Sequence, residues 1–182
     1  MMAAPRSARV SRVSIDSLPH CLLIDILGKL ELAERHRSAP AVCRRWRRAA
    51  NDPSLLRSLR ICLGGTAPLL ARVRSLSQWF LQYALPHVLS LSLELHAPVP
   101  DATSCISSVA AQLLAACGCA GRLRQLCLRT EGVVVPVDTW AATLTSLEGL
   151  ELHGPVAFTC GPLRVLRALR ELTLHASHID AG

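Results

Sequence analysis

From Leu18 onward, apolar positions fall in two different rhythms, and the change between them divides the chain. Behind Pro19, which suits the first turn of a helix, Leu22, Leu23, Ile26, Leu27 and Leu30 recur at helical spacing and predict one apolar stripe ending near Gly28 and Lys29. A polar segment, ELAERHRS, follows. Pro40 is then expected to open a further helix in which Val42, Cys43, Trp46 and Ala50 share a face and Arg44, Arg45, Arg47 and Arg48 occupy the rest. Asn51, Asp52 and Pro53 stop it.

After residue 75 the texture changes to helix-like stretches alternating with short leucine-rich strands. The pattern Leu-x-x-Leu-x-Leu occurs at 123/126/128, 147/150/152 and 169/172/174, with a looser copy at Val88, Leu91 and Leu93 and a candidate first strand at Leu56, Leu59 and Ile61. The separations from Leu126 to Leu150 and from Leu150 to Leu172, 24 and 22 residues, lie within the period of leucine-rich repeats. Between the strands, helices are expected over 77–85, 103–117 (stopped by Gly118), 139–145 and 162–168. Units this small must stack to bury their apolar faces. Alternation then turns Ser90, Ser92 and Glu94, Gln125, Cys127 and Arg129, Gly149, Glu151 and His153, and Glu171, Thr173 and His175 to the open face. Arg129, His153 and His175 are expected to align as a cationic column suited to an acidic or phosphorylated segment. Nothing after Leu174 offers the polar cap a terminal repeat carries, so the expectation is either an incomplete array or a last edge covered by another molecule.

Charge sharpens this division. Residues 1–74 hold 14 Lys/Arg against 5 Asp/Glu, whereas residues 75–182 hold 6 against 8. A basic half fits an acidic protein partner, nucleic acid or an anionic surface. Residues 1–14, with Arg6, Arg9 and Arg12, lack a secretory apolar core and are expected to be a disordered basic tail rather than a transit peptide. Arg, His, Ser or Pro interrupts each apolar run, so no membrane span is expected. The eight scattered cysteines favour reduced thiols in a cytoplasmic or nuclear protein.

The first module resembles an F-box. Leu18 and Pro19 match that family's opening Leu-Pro, Leu22, Ile26 and Leu27 its apolar helix, Leu30 the following leucine, Val42, Cys43 and Trp46 its Val-Cys-x-x-Trp, and Leu55 and Leu59 the leucines beyond. The chain departs from it at Cys21, where the family usually has an acidic residue, at Arg35 and Ser38, where it has apolar residues in the middle helix, and at Leu56, where a tryptophan is common. The resemblance implies three helices that bind the Skp-family adaptor of an SCF ubiquitin ligase, with cullin and RING subunits recruited through that adaptor. The implied adaptor-binding residues are Leu18, Pro19, Leu22, Ile26, Val42 and Trp46. An unknown protein substrate would be held by the repeats, with Glu94, Gln125, Arg129, Glu151, His153, Glu171 and His175 as the candidate contacts.

Catalytic patterns are missing. Gly64-Gly65-Thr66 lacks the Gly-Lys-Ser/Thr that cradles phosphate, and neither a nucleophile elbow nor a His-Glu-x-x-His helix occurs. Cys105, Cys117, Cys119 and Cys127 lack paired zinc spacings, so no metal and no cofactor are expected. Aromatic residues are 3% of the chain, too few to stack many bases, which ranks nucleic acid last among the partners. The expectation is an α+β protein that is not an enzyme: a basic tail (1–14), a three-helix F-box (15–60), a linker (61–74) and a short α/β leucine-rich-repeat solenoid with a curved parallel sheet (75–182). It would act as an SCF substrate receptor. The alternative is a leucine-rich-repeat scaffold with no ligase role.

Overall fold

The computed structural model describes residues 15–64, 75–97, 100–157 and 164–175. It is α+β and forms two compact units that divide between Ala50 and Asn51. The expectations for residues 1–14, most of the linker and the chain's last residues lie outside the described residues.

The first unit holds a 3-10 turn, Ile15–Ser17, followed by α1 (His20–Gly28), α2 (Leu32–Val42) and α3 (Arg44–Ala50). The apolar stripe of α1 is split: Leu23 and Leu27 are buried, whereas Leu22 and Ile26, also one turn apart, face out. Ala39, Ala49 and Ala50 complete the buried apolar set from α2 and α3. With mostly alanine on those two helices, the core is small. One boundary is corrected. Pro40 does not open a helix; it sits inside the last turn of α2, and the break falls at Cys43, whose backbone is extended. A proline near a helix end removes a single ladder bond, and the chain leaves the helix two residues later. The polar segment before Pro40 is thus itself helical, with Arg35 buried.

In the second unit, α4 (Pro53–Leu56) is capped by Asp52, whose Oδ1 accepts from the Ser54 amide at 2.9 Å. Strands β1 (Ser58–Leu63), β2 (Ser90–His96), β3 (Gln125–Glu131), β5 (Gly149–His153) and β7 (Glu171–His175) form a parallel sheet in chain order. Residues 61–63 therefore complete a strand and are not linker, and Leu56 belongs to α4. The short β4 (Val135–Pro136) and β6 (Val156–Ala157) pair separately.

Register puts Leu59, Leu91, Leu126, Leu150 and Leu172 in one cross-strand row, and Ile61, Leu93, Leu128, Leu152 and Leu174 in the next. Both rows are buried until they reach β7, where Leu172 and Leu174 are exposed. The same backbone device sets each strand's entry: the carbonyls of Arg57, Leu89, Arg124 and Glu148 each accept two consecutive amides of the next strand's start.

Strand spacings of 32, 35, 24 and 22 residues decide what fills each crossover. Residues 75–79 are helical and run into a π-helical turn, Phe80–Ala84. The long helix α5 (Pro100–Ala120) fills the second crossover. In the third, the helix expected over 139–145 is instead a pair of 3-10 turns, Val137–Thr139 and Ala141–Thr143. In the fourth, the described part of the stretch expected to be helical, residues 164–168, contains turns. A short connection cannot recover the cost of nucleating an α-helix, and a 3-10 turn spans more length per residue.

Helix α5 runs past Gly118 and stops at Gly121, which adopts φ 63° and donates to the Cys117 carbonyl at 3.1 Å. Gly118 serves packing instead, since a side chain there would collide with Thr143. Contrary to the membrane expectation, Thr103–Ala120 is long and apolar enough to cross a membrane by length and composition alone, with mean hydropathy 1.4. Its Ile106, Ala110, Leu113, Leu114 and Cys117 are buried at helical spacing, while Ser104, Ser108 and Gln112 are exposed, the pattern of a helix laid on a core.

Candidate functional site

Two surfaces carry the candidate residues, one in each unit. In the first unit, Leu22 is 46% exposed, Ile26 40% and Val42 57%. Pro19 is exposed, and Leu18 and Trp46 are half-buried. Arg45 ties this region together: its guanidinium donates to the Leu18 carbonyl, linking the start of α3 to the entry of α1, one residue before Trp46. Arg47 donates to the Pro40 carbonyl at 3.2 Å and fastens α3 to the end of α2. Two of the four arginines thus hold helix ends. Ile15, 50% exposed, adds an apolar side chain ahead of Leu18 that sequence reasoning missed because no periodicity announces a 3-10 turn of three residues.

The second surface is the polar face of the sheet. Register aligns Cys62, Glu94, Arg129, His153 and His175 in one row, and Arg60, Ser92, Cys127, Glu151 and Thr173 in the neighbouring row. The expected alignment of Arg129, His153 and His175 is present, and the rings of His153 and His175 stack with centroids 4.5 Å apart. The column is not simply cationic, however. Glu151 meets His153 through a hydrogen bond and approaches Arg129 at 3.9 Å, so acidic groups interleave with the basic ones. The His153 contact is the largest influence holding the Glu151 carboxyl below the usual carboxylate range.

Glu94 is a correction of another kind. It is buried, accepting from the Cys62 thiol at 3.1 Å and pairing with Arg60 at 2.7 Å, so its carboxylate is engaged within the sheet rather than offered to a partner. The Cys62 hydrogen bond, ahead of Arg60, lowers its pKa. Gln125, Arg129, Glu171 and His175 are exposed, and Glu151 and His153 are half-buried. A groove of about 290 Å³ lies on this face, lined by Ser92, Gln125, Cys127, Glu151, Glu171 and Thr173 among others. Gln125 lies across Gly149, where any side chain would collide with it.

Sequence reasoning passed over Arg60, Cys62 and Cys127 as site residues. Their partners are 24 to 34 positions away and become visible only when strands are aligned on their leucine rows. The grouping of Cys105, Cys117, Cys119 and Cys127 does not form among the described residues. Cys117 is buried, and burial pushes its thiol up to about 12, which makes it inert.

No curated protein matches the chain. A model of the F-box-like family matches residues 15–62, about a quarter of the length. F-box proteins are non-catalytic adaptors, and the match implies binding of a Skp-family adaptor and suggests a substrate-receptor role in an SCF ubiquitin ligase. Residues 15–62 are an F-box-like domain.

Proposed function

We propose that this chain is the substrate-recognition subunit of an SCF-type ubiquitin ligase. Its F-box-like domain docks a Skp-family adaptor through Leu18, Pro19, Leu22, Ile26, Val42 and Trp46. Cullin and RING subunits arrive through that adaptor, and the parallel sheet, read as leucine-rich repeats, holds the target protein. The observation that carries the proposal is the exposure of Leu22, Ile26 and Val42 inside a sequence matched as F-box-like. A small helical unit gains nothing from leaving such side chains in water unless a second protein covers them.

The repeat reading is supported by the recurring strand entry and by two aliphatic rows, leucine except for Ile61, in register across the five strands of the main sheet. On the polar face, Gln125, Arg129, Glu151, His153, Glu171 and His175 are the target contacts, with Glu94 supporting Arg60 from beneath. Their mixed charge favours a target segment carrying both signs over a purely acidic one. The cysteines described are all thiols, which suits a cytoplasmic or nuclear location.

Co-purification with a Skp-family adaptor tests the docking. Replacing Leu22, Ile26 and Val42 together by alanine should weaken adaptor binding about 100-fold or more, given about 1–2 kcal/mol for each buried anchor. Equal recovery of the adaptor by both proteins would remove the ligase role and leave a binding scaffold.

A further inference from the structure

Cys127, Glu151 and His153 converge on the polar face of the sheet, with one donor atom from each lying within 4.8 Å of the other two. Cys127 and Glu151 are direct cross-strand partners on β3 and β5. His153 follows Glu151 by two positions, which returns its side chain to the same face. Two strands of a rigid parallel sheet therefore deliver a thiol, a carboxylate and an imidazole to one place. We infer that these three side chains form a zinc-binding site that links β3 to β5.

The donor set selects the metal. A soft sulfur, a borderline imidazole nitrogen and a single carboxylate suit Zn²⁺, whereas Mg²⁺ and Ca²⁺ require more oxygen donors. In a tetrahedral zinc site, donors stand roughly 3.3–3.8 Å apart, so with every pair within 4.8 Å no edge has to close by more than about 1–1.5 Å, within the reach of side-chain rotation on a fixed backbone. The Glu151 and His153 edge is held by a hydrogen bond that zinc would replace: the imidazole proton moves to the other ring nitrogen, and the two ligand atoms part to the spacing of a metal edge.

Charge also balances. On binding, Cys127 loses its proton to solvent, and thiolate and carboxylate together neutralise the dication. Arg129 lies alongside, with its guanidinium 3.9 Å from the Glu151 carboxylate. His175, stacked on His153, restrains the imidazole plane from the next strand. Three protein donors leave the fourth position to water or to a donor from a bound protein. The site depends on the sheet face alone, so it stands or falls independently of adaptor docking; with zinc bound, Glu151 and His153 meet a target through the metal's fourth position rather than directly.

Zinc binding to the purified full chain, under a non-chelating reductant and by competition with a chromophoric chelator, should saturate at one equivalent and release a proton. Cobalt substituted for zinc should give the sulfur-to-metal charge-transfer band of a thiolate ligand. Cys127→Ser and His153→Gln should each weaken zinc by about 100-fold or more, and Glu151→Gln by less, while Cys119→Ser on the exposed face of α5 should leave it unchanged. Circular dichroism checks that each variant keeps its fold, and the cobalt spectrum of the native chain needs no variant. The site is overturned by absence of saturable binding, by a cobalt complex without the thiolate band, or by zinc affinity that the Cys127 and His153 changes do not alter.

Discussion

The two units put leucine to opposite uses. In the sheet, Leu91, Leu126 and Leu150 are flanked on both sides by a strand carrying its own leucine in register, and each is buried. In the helical unit, Leu22 and Leu23 are neighbours on one helix, yet Leu23 is fully buried and Leu22 is 46% exposed. A strand has two faces, and alternation assigns each residue to one of them. A helix can carry an apolar arc wider than its own neighbours cover. Surplus apolar surface in the first unit therefore speaks of a partner, while exposed leucines on β7 mark the last described strand of a sheet.

The sharpest way to break this comparison is truncation in the two settings. Leu128 lies on the central strand β3 with no exposure, so Leu128→Ala should cost about 3–4 kcal/mol in urea unfolding. Leu174→Ala, on β7 and 36% exposed, should cost about 1 kcal/mol or less, and Leu22→Ala about 0.5 kcal/mol or less. The order reverses for adaptor affinity, where Leu22 should matter and Leu128 should act only through unfolding. Comparable losses of stability at all three positions would mean that exposure does not separate the two uses.

Sequence periodicity made some of this legible and left the rest hidden for identifiable reasons. Strand alternation found β3, β5 and β7 because the period of two ties each side chain to a face and the leucine rows repeat. It could not find the Cys62, Glu94 and Arg60 cluster, because hydrogen bonds across strands depend on register, and register appears only once the 32-residue crossover is closed. Pro40 and Gly118 misled for a shared reason. Each was read as punctuation, whereas one is tolerated in a final helical turn and the other makes room for Thr143. In α1 the stripe was visible, but the boundary between its buried and exposed halves is set by where α3 packs, which is a tertiary fact.

The helical unit also differs from the sheet in how it should respond to acid. Burial, with the charge of adjacent Arg35 as the lesser cause, pushes His36 down to about 4 from an ordinary value near 6.5. Above about pH 6.5 the imidazole is neutral whether folded or unfolded, and no stability is at stake. As pH falls below that value the unfolded chain takes up the proton first, so stability should drop by on the order of 1–2 kcal/mol between about pH 6.5 and about pH 4. His36→Gln should flatten that limb when unfolding of the first unit is followed by amide exchange at Leu23 and Leu27 of α1. An unchanged acid limb in the variant would assign the loss to carboxylates instead.

The smallest expected effect bears on whether α4 contributes to the second unit as a helix or merely as a connection. Asp52 accepts from the amide of Ser54 at 2.9 Å and from its hydroxyl at 2.6 Å, so one carboxylate serves two donors ahead of a helix only four residues long. So short a helix has no cooperative reserve, and its order depends on the cap and on Leu56, which is buried. Asp52→Ala should lower stability by about 1 kcal/mol, and Asp52→Asn, which keeps an acceptor, by only a few tenths. Amide exchange localises the change: protection at Leu55 and at the start of β1 should fall in the alanine variant while β3 and β5 keep theirs. If protection falls evenly through the sheet, the cap acts on the whole unit and α4 is part of its core cooperativity rather than a separately stabilised entry to β1.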